Sequence, residues 1–158
     1  MEEKNIFLKK KFLIYGLGKS GLSSYFFLRK KNDVFLYDDN KNIIKNHKFK
    51  NCFIELPKIF YSNFDFIVIS PGININKCPL KNFLKKNKKH IITDLDIFYY
   101  YYYKNTNITI TGTNGKSTTA QILFDVLKNQ KRDVRLVGNI GKPILNEKKI
   151  TKNTIFVI

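Results

Sequence analysis

The sequence has few of the residues that mark several common classes of protein. Its 158 residues include two cysteines, four prolines, one methionine and no tryptophan. Cys52 and Cys78 lie far apart and form no C-x-x-C pair, so we expect free, partly buried thiols. No apolar run approaches the roughly 18 residues of a membrane-spanning helix. The N-terminal segment also lacks the cleavage site of a signal peptide. We therefore expect a cytoplasmic protein with no membrane insertion.

Acidic residues are also scarce, and 29 basic residues against 12 acidic ones give a formal net charge of +17. Such a charge is typical of proteins that bind nucleic acid. Arginine forks usually read the base edges, yet only Arg29, Arg132 and Arg135 are present. The chain is rich in Lys, Asn, Ile, Phe and Tyr and has a single alanine, a composition that A+T-rich codons produce. We therefore expect no nucleic-acid partner.

Short apolar runs alternate with helical patterns, which predicts an α/β protein with parallel sheets. Residues 104–106 are polar and break the pattern, so we place a domain boundary there. Residues 1–104 are expected to form a Rossmann-like domain, and residues 105–158 the start of a P-loop ATPase α/β domain. The run TIFVI at 154–158 lacks polar alternation and predicts an inner strand. The other expected strands are 11–15, 33–37, 64–69, 90–93, 107–111 and 133–137, and the expected helices are 21–31, 79–86, 94–103 and 115–129.

Two of the predicted helices carry apolar residues at helical spacing. In the first helix, the residues expected to face a sheet are Leu22, Phe26 and Leu28. In the last helix, the expected apolar stripe consists of Ile122, Leu123, Val126 and Leu127.

The segment GLGKSG follows the first predicted strand and opens a helix. Gly16, Gly18 and Gly21 have the spacing G-x-G-x-x-G, in which the glycines allow a tight turn, close approach of a phosphate, and helix–strand packing. Asp38 directly follows the second predicted strand and can accept hydrogen bonds from a nucleoside. The turn 70–72 follows another strand and can line the same crevice. These features predict a nucleotide diphosphate site, and they do not distinguish NAD from other nucleotides.

A second glycine loop, GTNGKST at 112–118, also follows a strand and opens a helix. Its spacing is shorter than that of a Walker A loop, which would require a glycine at Ile110. Lys116 can neutralise β- and γ-phosphate oxygens, and the Ser117 hydroxyl can ligate Mg²⁺. A lysine is disfavoured at a helix N-terminus unless an anion is present. Two anion-binding loops in one chain favour phosphoryl transfer or ligation over redox chemistry.

Together these motifs resemble those of the Mur ligase family. The matching segments are GLGKSGLS at 16–23, Asp38, SPGI at 70–73, TDLDIF at 93–98, GTNGKST at 112–118 and GNIGKP at 138–143. The related folylpolyglutamate synthases share GTNGKST but lack the N-terminal nucleotide domain that GLGKSGLS indicates. The best match is the branch that adds D-glutamate. The muramate:L-alanine ligases, which usually have histidine in place of Asn114, come second.

The resemblance implies a role for each matching residue. The diphosphate of the UDP-linked substrate would contact Leu17, Gly18, Lys19 and Ser20, and Asp38 would contact the uracil. Lys19 stands where the family usually has an apolar or small residue. The site would be closed by Ser70, Pro71 and Gly72, and Asn139 would face the substrate near the transferred phosphate. ATP would be bound by Gly112, Thr113, Asn114, Gly115, Lys116, Ser117 and Thr118, with Lys116 catalytic and Ser117 a ligand of Mg²⁺.

The implied activity belongs to peptidoglycan precursor synthesis and uses ATP and Mg²⁺. The carboxylate of UDP-N-acetylmuramoyl-L-alanine would attack the γ-phosphate of ATP, and the amine of D-glutamate would displace phosphate from the acyl phosphate. The resemblance also implies a monomer. In the family, a glutamate that helps bind Mg²⁺ follows the strand matching TIFVI, whereas this sequence ends at Ile158. We therefore expect a fragment or a truncated reading frame without ligase activity of its own. The alternative is a nucleotide-binding remnant.

Overall fold

The computed structural model of the chain describes residues 5–45, 49–138 and 142–158, and within them parallel strands alternate with helices. Internal contacts divide the chain into two compact units, of which the first ends at Asp94 and the second begins at Leu95. The predicted α/β class with parallel sheets is confirmed.

The first unit is built on a four-stranded parallel sheet with the order β2-β1-β3-β4. Its strands are β1 (Lys11–Tyr15), β2 (Asp33–Tyr37), β3 (Phe66–Ile69) and β4 (Ile91–Ile92). Its helices are α1 (Lys19–Leu28), α2 (Lys41–Lys45), α3 (Leu56–Phe60) and α4 (Lys81–Lys86), and 3₁₀ turns lie at Lys50–Cys52 and Lys88–His90.

β1 is the centre of this unit because it is covered on both faces. Phe12, Leu13, Ile14 and Tyr15 are all fully buried, although successive side chains of a strand point to opposite faces. Phe12 stacks on Phe66 with the ring centroids 5.3 Å apart. A continuous apolar run of this kind is what a parallel strand covered on both sides requires.

The second unit contains a three-stranded parallel sheet with the order β5-β7-β6. Its elements are α5 (Asp94–Tyr102), which starts at the last residue of the first unit, β5 (Thr106–Ile108), α6 (Lys116–Asn129), β6 (Val134–Leu136), a 3₁₀ turn at Ile144–Asn146 and β7 (Ile155–Val157). β7 is the middle strand, so the prediction that TIFVI forms an inner strand is confirmed.

Contacts of α5 explain why the second unit begins earlier than the polar break at 104–106. Phe156 of β7 is fully buried, and its ring centroid lies 4.8 Å from that of Phe98 and 5.9 Å from that of Tyr102. Most of α5 therefore packs with the strands that follow it. The assignment of functional domains to residues 1–104 and 105–158 stays a prediction.

The expected apolar face of α1 was wrong at one position. Phe26 is 44% exposed, whereas Tyr25 and Leu28 are buried. The Phe26 ring instead contacts the Phe49 ring, with centroids 5.4 Å apart, and the Arg29 guanidinium lies 5.1 Å from the Phe26 ring. Residues 25 and 28 are three apart and share a helix face, so Phe26 is turned away from the sheet.

The predicted stripe of α6 was also half wrong. Ile122 and Val126 are 58% and 48% exposed, while Ala120 is buried. Leu123 and Leu127 pack against the core of the second unit, as predicted. The inward face follows the spacing 120, 123, 127, which places it about one residue away from the one that the sequence suggested.

Two short helices, α2 and α3, lie where no element was expected, because five residues are too few for helical periodicity to show. Cys52 and Cys78 are free and half-buried, as predicted. Within the described ranges, no helix has both the length and the apolarity that crossing a membrane requires.

Candidate functional site

Three adjacent strands end at the edge where the first glycine loop begins. Because β1 lies between β2 and β3 in a parallel sheet, the segments after Tyr15, Tyr37 and Ile69 leave the sheet together. The Gly16 N–H donates to the carbonyl oxygen of Tyr37 at 2.9 Å, and the Ser70 N–H donates to that of Tyr15 at 3.0 Å. The ladder therefore extends one residue past the strands and orders the start of the loop.

Two of the three loop glycines are required by the fold itself. Gly16 has φ +91°, and a Cβ there would lie 2.9 Å from the Cβ of Ser70. A Cβ at Gly21 would lie 1.8 Å from the carbonyl oxygen of Gly16, a distance that no side chain can occupy. The turning role of Gly16 and the packing role of Gly21 are thus confirmed. At Gly18, a Cβ would meet no atom of the described residues within 4 Å. Phosphate approach at Gly18 stays a prediction.

The first turn of α1 has the electrostatics of an anion site. The N-cap residue Gly18 has no side chain with which to cap the helix, and the first turn contains no acidic residue. The first N–H groups of a helix lack intrahelical partners and carry a partial positive charge. Lys19 is exposed and adds a full positive charge beside them. This end of α1 is therefore suited to a phosphate group.

Asp38 organises the glycine loop from the neighbouring strand. Its Oδ2 accepts the Leu17 N–H at 2.7 Å, and its Oδ1 accepts the Asn40 N–H at 2.8 Å. Leu17 is only 4% exposed, so its side chain belongs to the core. Each carboxylate oxygen keeps a further lone pair, so the predicted contact with a nucleoside is compatible with both bonds.

Asp39 lies in the same turn, and sequence reasoning missed it. The Tyr15 hydroxyl donates to Oδ2 of Asp39 at 2.6 Å. Burial raises the pKa of the Tyr15 phenol far above its usual value, and the hydrogen bond to Asp39 raises it further. Burial and the charge of Asp39 raise the pKa of Tyr37 to about 12. Both shifts favour the neutral phenols, which can donate hydrogen bonds to this turn.

The turn after β3 supports the glycine loop from the other side. The buried Ser70 hydroxyl donates to the carbonyl oxygen of Gly16 at 2.7 Å, so its proton is used within the protein. Pro71 and Gly72 are exposed. The structure therefore brings the 70–72 turn, the glycine loop and Asp38 to one edge of the sheet. Their contact with a substrate remains a prediction.

Ser20 has a partner that sequence reasoning missed. Its Oγ donates to Oδ2 of Asp94 at 2.5 Å. From sequence, Asp94 was expected only as the first residue of the helix at 94–103. The two residues lie 74 positions apart, and no local pattern can indicate a pairing at that separation.

The second glycine loop connects β5 to α6. Gly112 and Gly115 have φ +152° and +76°, in the region that favours glycine, and Gly115 is the N-cap of α6. The Ile110 N–H donates to the carbonyl oxygen of Ile158 at 2.9 Å, which extends the β5–β7 ladder to the start of the loop. All of residues 111–119 are exposed. The expected order of strand, glycine loop and helix is confirmed.

The Lys116 ammonium folds over its own loop. Its Nζ donates to the carbonyl oxygens of Gly112 and Thr113, the latter at 3.2 Å. Neutral carbonyl oxygens are weaker acceptors for a cation than charged phosphate oxygens. A phosphate entering the loop would therefore compete successfully for the same N–H groups. No acid in the first turn of α6 offsets the lysine charge.

A magnesium ion would fit this loop as an ion shared with phosphate groups. Ser117, the second residue of α6, has an exposed position and offers a hydroxyl oxygen. The described part of the chain contains no group of three or more His, Cys, Asp or Glu side chains that could hold a metal. Mg²⁺ in nucleotide sites usually takes one or two protein ligands and completes its shell with phosphate oxygens and water. Ser117 could serve as such a ligand.

The turn after β6 reaches the same edge as the second glycine loop, because β5 and β6 both run parallel to β7. Gly138 has φ +104°, and its N–H donates to the carbonyl oxygen of Lys142 at 3.1 Å. Asn139 lies outside the described residues, so its role near the substrate stays a prediction.

A groove of about 500 Å³ lies elsewhere in the first unit, at the amino-terminal end of β2. None of the described residues that were predicted to bind nucleotide lines it. Since the glycine loop follows the carboxyl end of β1, the groove is separate from the candidate site. Its walls are formed by Tyr25, Arg29, Lys30, Asn32, Asp33, Val34, Phe35, Asn51 and Cys52.

Comparison with known proteins places these loops in a family context. The profile of the Mur ligase MurD-like N-terminal domain matches residues 10–93. A protein of Rickettsia prowazekii (strain Madrid E), named UDP-N-acetylmuramoylalanine–D-glutamate ligase, is 37% identical over 151 aligned positions, in an alignment that covers 91% of this chain and 33% of that protein. The protein of that name from Caldicellulosiruptor bescii is 33% identical over 159 aligned positions, in an alignment that covers 94% of this chain and 35% of the relative. The chain thus spans about a third of the length of these relatives.

Proposed function

This chain belongs to the Mur ligase family, with a MurD-like N-terminal domain, and on that premise we propose that it carries the nucleotide-binding part of a UDP-N-acetylmuramoyl-L-alanine:D-glutamate ligase. Residues 1–104 would hold the UDP part of the substrate, and residues 105–158 would begin the ATP-binding domain. The single observation that carries the proposal is the presence of two glycine loops, each at the carboxyl edge of its own parallel sheet and each opening a helix.

The three glycines of the first loop differ in what the fold requires of them, and this difference supports a diphosphate ligand. Gly16 and Gly21 are explained by internal packing, whereas Gly18 is not. Absence of a Cβ at Gly18 leaves backbone N–H groups accessible beside the start of α1, which is the arrangement that a phosphate group requires. Asp38, in the adjacent turn, keeps lone pairs for the base or sugar of the nucleotide.

The second loop supports ATP through Lys116. Its ammonium already lies within hydrogen-bond distance of the loop carbonyls, where it would neutralise phosphate charge. Joining a carboxylate to a phosphate brings two anions together. Two unit charges 4 Å apart repel by about 4 kcal/mol at an effective dielectric of 20. Lys116 and the N–H groups of the loop would offset that repulsion, and a bound Mg²⁺, held in part by Ser117, would supply further positive charge.

The proposed reaction has the two steps that the family resemblance implies. A carboxylate oxygen of UDP-N-acetylmuramoyl-L-alanine forms a bond to the γ-phosphorus of ATP, and ADP leaves with the electron pair of the broken bond. The amine of D-glutamate then attacks the acyl carbon, loses a proton, and displaces phosphate to form the amide. The protein's contribution is to position the reactants and stabilise their charges.

A binding experiment with the 158-residue chain tests the proposal, since binding at each loop can be measured without turnover. Calorimetry should detect UDP-N-acetylmuramoyl-L-alanine and ATP as ligands, and NAD should bind much more weakly than either. Gly18→Val should weaken the UDP-linked ligand by tenfold or more, as an order-of-magnitude expectation for blocking a backbone–phosphate contact. It should leave ATP affinity unchanged.

Lys116→Ala should have the opposite selectivity, with a loss of ATP affinity of roughly tenfold or more and unchanged affinity for the UDP-linked ligand. Lys128→Ala is the matched control, because Lys128 lies on the same helix with its ammonium over the ring of Phe124. Lys128→Ala also removes one positive charge, but in the last turn of α6 and far from the second glycine loop. Tighter binding of NAD than of UDP-N-acetylmuramoyl-L-alanine would overturn the proposal in favour of a dinucleotide-binding domain.

A further inference from the structure

The hydrogen bond between Ser20 and Asp94 limits what the Ser20 hydroxyl can do. Oγ of Ser20 lies 2.5 Å from Oδ2 of Asp94. A serine hydroxyl has one proton, and an ionised carboxylate can only accept. The Ser20 proton is therefore committed to Asp94. The oxygens of a diphosphate are also acceptors only, so the same proton cannot serve both groups at once.

Ser20 lies where this limit affects a ligand. It is the second residue of α1 and follows Gly18 and Lys19, the open part of the first glycine loop. An anion held by the first turn of α1 would meet a hydroxyl that is already bonded. The anion would also be repelled by the negative charge of Asp94, whose carboxylate lies one hydrogen bond away from the Ser20 hydroxyl.

We propose that Asp94 is a positioning residue of the first glycine loop, which holds the Ser20 hydroxyl and competes with a bound diphosphate for its proton. The inference rests on the proposed function of that loop as a diphosphate site. It predicts that Asp94 lowers the affinity of the loop for a diphosphate, and that binding transfers the Ser20 hydrogen bond from the carboxylate to a phosphate oxygen.

Asp94 is well placed to lose this partner. It is the first residue of α5, and a negative charge in the first turn of a helix is stabilised by the helix dipole. The first turn of α5 can therefore stabilise the charge of the carboxylate after Ser20 has turned to the ligand. α5 continues from Asp94 into the second compact unit, so the exchange would act at the start of the element that leads there.

A double-mutant cycle on UDP binding tests the proposal. Calorimetry would compare the unaltered chain with Ser20→Ala, Asp94→Asn and the double variant. Asp94→Asn keeps the shape and an acceptor oxygen, but a neutral amide is a weaker acceptor than a carboxylate. With Ser20 present, the substitution should therefore tighten UDP binding roughly fivefold. In the Ser20→Ala background, Asp94→Asn should increase UDP affinity clearly less, because there is no hydroxyl proton for which Asp94 and the diphosphate could compete.

Two controls separate competition from a merely structural effect. Uridine, which lacks the diphosphate, should bind the unaltered chain and Asp94→Asn with equal affinity. Asp96→Asn removes the same charge from an exposed position of the same helix and should change UDP affinity by less than about twofold. Circular dichroism should show equal helix content in all variants.

Three outcomes would count against the proposal. Equal effects of Asp94→Asn in the two Ser20 backgrounds, weaker UDP binding in Asp94→Asn, or reproduction of the gain by Asp96→Asn would each overturn it while leaving the loop a diphosphate site. Failure of the unaltered chain to bind UDP would overturn this inference and the proposed function together.

Discussion

The Ser70 hydroxyl and the carbonyl oxygen of Gly16 are joined by a buried hydrogen bond of 2.7 Å, which ties the turn after β3 to the glycine loop after β1. The same serine closes the β1–β3 ladder through its backbone N–H. Ser70 therefore acts as a support of the loop, whatever contact the 70–72 turn makes with a ligand.

Replacing Ser70 by alanine should destabilise the chain by about 1–2 kcal/mol, because the Gly16 carbonyl would be left buried without this donor. Urea unfolding followed by circular dichroism measures the change. Ser62→Ala is the matched control, since the Ser62 hydroxyl donates to the Lys58 carbonyl at an exposed site. It should cost less than about 0.5 kcal/mol. Equal costs at the two serines would contradict the supporting role of Ser70.

Gly21→Ala should destabilise the chain far more than Gly18→Ala. The Cβ of Gly21→Ala would lie 1.8 Å from the Gly16 carbonyl oxygen, so α1 and β1 would have to separate. We expect a loss of about 3 kcal/mol or more, or failure to fold. Gly18→Ala has room for its Cβ and should cost no more than about 1 kcal/mol. Thermal unfolding compares the two, and a similar loss from both variants would refute this difference.

Tyr15→Phe should weaken the turn that contains Asp38 and Asp39. The Tyr15 phenol donates to Asp39 at 2.6 Å, and burial together with this bond raises the pKa of the phenol above its usual value. Asp39 is exposed, so water can replace the lost donor in part, and we expect a stability loss of about 1 kcal/mol. UDP affinity should fall modestly, because the adjacent Asp38 holds the glycine loop.

Tyr25→Phe serves as the control for that variant. The Tyr25 hydroxyl, which this substitution removes, lies 3.4 Å from the Cys52 sulfur, beside the groove at the amino-terminal end of β2. It should leave UDP affinity unchanged. If Tyr25→Phe lowered UDP affinity as much as Tyr15→Phe, the effect would be a general loss of stability and not a local change at Asp39.

Asp65 should make stability depend on acid pH. The Lys11 N–H donates to its Oδ2 at 2.8 Å and the Lys10 ammonium lies 3.0 Å from its Oδ1; these contacts lower the pKa of the carboxyl group. Because the pKa of Asp65 in the folded state lies below the unfolded value of about 3.9, the ionised carboxylate stabilises the fold at pH values above about 3.9. This stabilisation is lost as the pH falls through the folded-state pKa.

The corresponding variant is Asp65→Asn. At pH 7 it should be less stable than the unaltered chain by at most about 1 kcal/mol. The side chains of Lys10 and Asp65 are both 39% exposed, so water partly screens their ion pair. The difference should shrink below about pH 4. Urea unfolding at pH 7 and pH 3 measures it, with Asp125→Asn on the exposed face of α6 as a control. A difference that grew on acidification would have the wrong sign.

Local patterns predicted most of the strands because each is a short apolar run bounded by turn residues. The run at 11–15 and the run at 33–37 match the observed strands at both ends. Helix faces were less predictable. A helix turns by about 100° per residue, so an inward face judged one residue off exposes part of the expected stripe. Phe26, Ile122 and Val126 are exposed for that reason.

The sequence by itself determined the α/β class, the two glycine loops and the position of Lys116, because strand, turn and helix signals lie within a few residues of one another. Only the tertiary structure decided which polar groups of the first loop are already bonded. Ser70 reaches Gly16 across 54 positions, and Ser20 reaches Asp94 across 74. Those pairings depend on which strands become neighbours in the sheet. Strand order is set by packing over the whole unit, and no local spacing encodes it.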